Sequence, residues 1–230
     1  MKKIAFILFI AFAFTAITEV RSQNFRLGLK GSPSLAWFKS ETNNYDSEGV
    51  RLGFSYGLIS EFLLAEQYSF ATGINISYFG GKLSYPVGDQ NDPEVRLPMV
   101  ERTYRIQNLE VPLTVKMKTR EIGYNTYFAK FGFGGSVNLT AKANDKFYNP
   151  ANSNTDQVND IDIKGETPLF RVSMILGLGL EHSLGGTTAL IGGITFNNGF
   201  TNILKGKDDI SERNKQARAN FVELSIGVLF

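Results

Sequence analysis

The stretch 220–230 constrains this chain more than any other. Val222, Leu224, Ile226, Val228 and Phe230 are apolar, while Glu223, Ser225, Gly227 and Leu229 between them are mostly small or polar. Alternation of period two marks a β-strand whose two faces meet different surroundings. With an aromatic residue ending the apolar face, the stretch predicts the closing strand of a transmembrane β-barrel, paired with the first strand so that no edge lies open in lipid. Phe230 is then expected to be the C-terminal assembly signal read by the barrel-assembly machinery. A sandwich strand shows the same alternation, and the rest of the chain weighs against that reading.

At the other end, Lys2 and Lys3 precede the apolar run 4–17, and Val20, Arg21 and Ser22 offer compact residues ahead of a cleavage point. This predicts a signal peptide over 1–22, removed before Gln23, and a single barrel domain over 23–230. The apolar run is too short to span a bilayer as a helix. Without residues 1–22, 21 basic and 21 acidic residues remain of the original 24 and 22. A formally neutral chain with no basic patch among its aromatics argues against nucleic acid as a partner. Cysteine is absent, so an exported domain of this kind must rely on its sheet and its packing. The 23 glycines, 19 phenylalanines and 9 tyrosines suit strands and turns.

Alternating segments fall at 24–37, 50–63, 68–78, 102–118, 126–141, 169–182, 188–200 and 220–230. The connections between them alternate long and short, with long polar segments at 80–101 and 142–168. The pattern predicts an all-β fold: an eight-stranded antiparallel up-and-down transmembrane barrel with short periplasmic turns and long outer loops. In the fourth segment the apolar residues change from even (Tyr104, Ile106) to odd (Leu109, Val111, Leu113), which predicts a β-bulge near Asn108. Trp37, Tyr68, Tyr78, Tyr104, Tyr124, Phe200 and Phe230, all near strand ends, predict two interfacial aromatic belts.

The run from Asn108 through Leu109, Glu110, Val111, Pro112, Leu113, Thr114, Val115, Lys116, Met117 and Lys118 to Thr119 is followed by Glu121-Ile122-Gly123-Tyr124 and Phe131-Gly132-Phe133-Gly134. Together these resemble the central hairpin of the PorT-like outer-membrane β-barrel proteins of Bacteroidetes-type bacteria. The resemblance implies an eight-stranded barrel of the cell outer membrane. Its namesake belongs to machinery for protein secretion and gliding motility, which gives one expectation of role.

On the face turned from lipid, Arg26, Lys30, Arg51, Glu61, Glu110, Lys116, Lys130, Arg171, Glu181 and Glu223 carry charges of both signs. Buried singly these are costly, so they are expected to pair across the lumen as a structural charge network and to plug it. Chemistry-bearing motifs are scarce. His182, the sole histidine, is expected at a surface turn rather than in a catalytic site. Asp156, Asp160 and Asp162 lack the spacing of a calcium loop and read as a solvated acidic loop. Gly177-Leu178-Gly179 lies within a strand and is no nucleotide loop. Asn138-Leu139-Thr140 matches a glycosylation sequon but also lies in a strand. The expectation is therefore a non-enzymatic barrel without cofactor or metal, embedded in outer-membrane lipid. Its function would be structural or protein-interacting, through outer loops or the periplasmic rim, with envelope or secretion proteins as partners. A small transport or enzymatic barrel, such as a small-solute channel, is the competing reading.

Overall fold

The computed structural model describes residues 25–42, 45–87, 99–149, 154–207 and 214–230. The expected signal peptide and its cleavage point lie outside the described residues. Eight long strands form the wall: β1 (Phe25–Ser40), β3 (Arg51–Ala65), β4 (Tyr68–Pro86), β5 (Met99–Lys118), β6 (Asn125–Asn149), β8 (Phe170–Gly185), β9 (Thr188–Gly199) and β10 (Ala217–Leu229). Each pairs antiparallel with its neighbours, and β1 pairs with β10 from Gly28↔Leu229 to Ser40↔Ala217, closing the sheet. Beyond that ladder, the Leu27 N–H donates to the Phe230 carbonyl at 3.0 Å and the Phe230 N–H to that of Leu27 at 2.7 Å. Closure leaves no backbone edge to face lipid.

Two short strands extend the wall at its long-loop end. β2 (Asp46–Ser47) pairs with β4, and β7 (Asn154–Asp162) pairs with β6. A 3-10 turn, Lys164–Glu166, follows β7. At the opposite end the connections are short: residues 66–67, 119–124 and 186–187. Gly185, the last residue of β8, and Gly186, which opens the last of these turns, take φ of 101° and 61°, the left-handed region that glycine enters without penalty.

The apolar residues change sides along the barrel. Towards the short turns they point outward, as Leu224, Ile226 and Ile74 do, at more than half exposed. Towards the long loops they point into the lumen, where Phe38, Leu83, Val100, Tyr104, Ile163 and Phe221 form a buried cluster. Tyr45 stacks on Tyr85 at 4.5 Å between ring centroids, and Phe38 meets Tyr104 at 5.3 Å. The first zone is sheathed by lipid, so apolar groups leave water by facing out. Beyond lipid they can do so only by facing in.

This exchange corrects three expectations. Tyr104 is 3 % exposed and inside, so it is no belt residue, whereas Tyr68, Tyr78, Tyr124, Phe200 and Phe230 are exposed on the wall. The fourth segment has no bulge near Asn108: even residues of β5 face the lumen along its whole length, and its register with β4 is unbroken there. The register shift lies across the ladder in β6, where Gln107 faces Thr140 and Asn108 faces Asn138, leaving Leu139 as the extra residue. Finally, the segments 80–101 and 142–168 are not wholly loop. β4 runs to Pro86, β5 begins at Met99, β6 continues to Asn149 and β7 folds back upon it. Their alternation had passed for irregular polar sequence because the apolar residues had moved to the other face.

Candidate functional site

The parity of each strand decides which side chains enter the lumen. Near the short turns Arg26, Glu61, Lys116 and Glu181 meet, together with Lys118, which the expected set omitted. Arg26 donates to Glu61 at 2.6 Å and to Glu181 at 2.9 and 3.1 Å. Lys116 reaches both carboxylates, donating to Glu61 and standing 2.5 Å from Glu181. Lys118 reaches the same two at 3.1 and 3.0 Å. The Lys116 ammonium also lies 4.2 Å above the Phe128 ring. Glu61 and Lys116 are each 1 % exposed, so these charges are stable only because each has more than one counter-charge. Lys118 was legible in sequence: it is even, like Lys116, on a strand whose even residues point inward.

One level up, Glu223 accepts from the Ser55 hydroxyl at 2.7 Å and stands 3.9 Å from Lys30. Glu110 accepts from the Asn197 amide at 3.3 Å and lies 3.8 Å from Arg171. Arg171 donates to Asn197 at 2.7 Å and to the Ala219 carbonyl at 3.0 Å. Its guanidinium sits over Phe79 and Phe221, at 5.4 and 5.3 Å, and so joins the charged level to the apolar cluster. Lys130 lies inside the lumen over Gly177, its partner in the adjacent strand, whose absent Cβ would stand 2.5 Å from the lysine Cε. A cavity of about 60 Å³ persists among Lys30, Glu61, Glu110, Lys116, Lys130 and Glu223, room for a few water molecules at most.

Within the apolar cluster, between Val100 and Tyr104, Arg102 clasps Asp145, directly opposite it in the ladder, through Nε at 2.7 Å and Nη2 at 2.6 Å, while Nη1 donates to Glu166 at 2.7 Å. Burial opposes the charge of Arg102, and the hydrogen bonds to Asp145, together with the attraction of that carboxylate and of the Tyr85 and Tyr104 phenols, outweigh it and raise its pKa. Burial raises the Tyr104 phenol beside it. This clasp escaped the sequence reading because 142–168 read as loop.

Arg51 is not in the lumen. Its Cδ lies 3.4 Å from where a Cβ of Gly80 would stand, on the outward face of β4, and it shares a pocket with the outward-facing Tyr78, Arg105, Gln107 and Lys142. The cause is local: β3 and β4 pair only from Phe54↔Tyr78, so the start of β3 is free to send Arg51 across the wall. Asp160 and Asp162 belong to β7 rather than to a loop. Asp160 pairs with Arg105 and stands 3.8 Å from Lys142, and Asp162 accepts the Lys164 N–H at 2.9 Å. Asp156 is exposed on the same strand. No metal-ligating cluster occurs among the described residues. His182 is exposed, its Nδ1 2.9 Å from Asn125 Oδ1. Asn138 faces inward and donates to Thr167 at 2.8 Å. Phe230 is half exposed on the outer wall.

A family model described as an outer membrane protein beta-barrel domain matches residues 21–205. No curated protein matches the sequence. Among solved structures, Neisserial surface protein A is 12% identical, with 88% of this chain and 95% of that one covered, at a TM-score of 0.43. The outer membrane protein OprG from Pseudomonas aeruginosa is 8% identical, covering 90% and 96%, at 0.39. The outer membrane protease OmpT from Escherichia coli is 11% identical, covering 93% and 99%, also at 0.39.

Proposed function

This chain belongs to the outer membrane protein beta-barrel domain family and resides in the outer membrane, and on that footing we propose that it is a non-enzymatic barrel with a plugged lumen. Its function is then structural or protein-interacting, exercised from the outer extension or the periplasmic rim. One observation carries the reading. The lumen is obstructed at successive levels by unlike means: the Glu61–Lys116–Glu181 cluster, the Glu110–Arg171 level and the apolar cluster around Phe38 and Tyr104. An eight-stranded wall leaves an interior that side chains fill. A solute path would need all of these levels to move together.

The partners in this reading are outer-membrane lipid, the barrel-assembly machinery and envelope proteins. The PorT-like hairpin, residues 108–134, favours secretion or gliding machinery among them. Planar-bilayer recording on refolded residues 23–230 tests the plug, and silence at all voltages is the expected result. Reproducible porin-like steps would mean an open lumen and restore the small-solute channel. Cross-linking in intact cells, followed by identification of the captured envelope proteins, tests the interaction role.

A further inference from the structure

Where β3 parts from β4, the wall carries a pocket of about 310 Å³ that opens outward and has Phe79 and Ile106 of the buried cluster as its floor. Arg51, Arg105 and Lys142 face it with one carboxylate, Asp160. That carboxylate is committed: Arg105 is bound to it, and Lys142 lies 3.8 Å from it. The Asp160 backbone lies in the left-handed region, φ 58°, and its N–H donates to the Asn144 side-chain oxygen at 3.0 Å. Arg51, partly buried, makes no hydrogen bond or ion pair among the described residues. A half-desolvated guanidinium beside a like charge calls for an anion.

The position of the pocket says which anion. It opens on the outward face of the wall, at the long-loop limit of the apolar band. Leu52, 82 % exposed, and Tyr78, 42 % exposed, line it, and Phe54 and Tyr56 continue the apolar surface towards the short turns. A ligand seated there sets an anionic group against two guanidiniums and an ammonium, with its body along an apolar, aromatic wall. A free inorganic anion uses only the first half of that arrangement. We propose that the pocket binds the phosphorylated headgroup of a lipid in the outer leaflet, its acyl chains lying over the Leu52–Tyr56 surface. Guanidiniums engage phosphate through paired N–H donors, which suits Arg51 and Arg105.

The test uses the full protein folded in detergent and bis-phosphorylated lipid A as the probe, with binding read by native mass spectrometry. Arg51→Gln removes the unpartnered cation without touching any internal pair, and heat-modifiable gel mobility checks that the barrel remains folded. The expected result is about tenfold weaker lipid binding for Arg51→Gln, the loss of one charge-assisted contact. The dephosphorylated lipid should bind the native protein about as weakly. Undiminished binding by folded Arg51→Gln, or equal binding of the dephosphorylated lipid, would overturn the proposal. So would inorganic phosphate or a hexaglutamate peptide binding as tightly as the lipid, since the occupant would then be a free anion or an acidic protein segment.

Discussion

Glu61 and Glu181 together hold the charged level nearest the short turns, because Arg26, Lys116 and Lys118 all bear on both. Glu61→Ala leaves three cations to Glu181 alone, and breaking a buried set in this way costs about 3–5 kcal/mol. Lys116→Met leaves two cations for two carboxylates and should cost clearly less. Urea unfolding in detergent micelles orders the two, and a smaller loss for Glu61→Ala would refute the account. Gly81 makes a separate demand. Its missing Cβ would stand 2.4 Å from the Phe38 ring, so Gly81→Val should destabilise by about 1–3 kcal/mol through overpacking. Phe38→Leu in the same chain should recover part of it; an unchanged midpoint for Gly81→Val would mean the ring has room to move. Residues such as Glu61, Lys116 and Glu181 were legible because they interrupt an inward face otherwise made mostly of small and uncharged polar residues. Arg51 obeyed the same parity and was misplaced, because parity fixes a side chain's face only while the strand is paired on both sides.

Among the elements, β10 was the most legible, since lipid lies against one of its faces and the lumen against the other throughout 222–230. The outer halves of β4, β5 and β6 were the least so. There the solvent outside is water, the apolar side chains turn inward, and Tyr104 and Ile106 mimicked a bulge that belongs to β6 at Leu139. Single-sequence periodicity reports which face is apolar and not which face is inside. A prediction follows for the seam. Phe230 supplies the last two hydrogen bonds between β10 and β1, through Leu27, and its ring covers lipid-facing surface. Deleting it should lower the yield of folded, heat-modifiable protein in the outer membrane, whereas Phe230→Tyr should be tolerated. Native yield after deletion would show that assembly ignores this residue.

For the molecule as a whole, the interior is stabilised by pairs that solvent does not reach, while Lys82–Glu101 and Arg218–Glu41 lie on the surface. Salt screens exposed pairs, which contribute little in any case, and hardly touches buried ones. The unfolding midpoint in urea should therefore change little between 0.1 M and 1 M KCl, although the screening length falls about threefold over that range. A steep fall with salt would mean that water and ions enter the lumen. The closed seam has a further consequence, for time rather than strength. Pairing Gly28 with Leu229 joins opposite ends of the described chain, and contacts so distant in sequence form slowly, on the scale of milliseconds to seconds even in simple folds. Until β10 is available, β1 has no neighbour on that side. A nascent chain must therefore cross the periplasm with both edges raw, and how long it stays unfolded there is set by its topology.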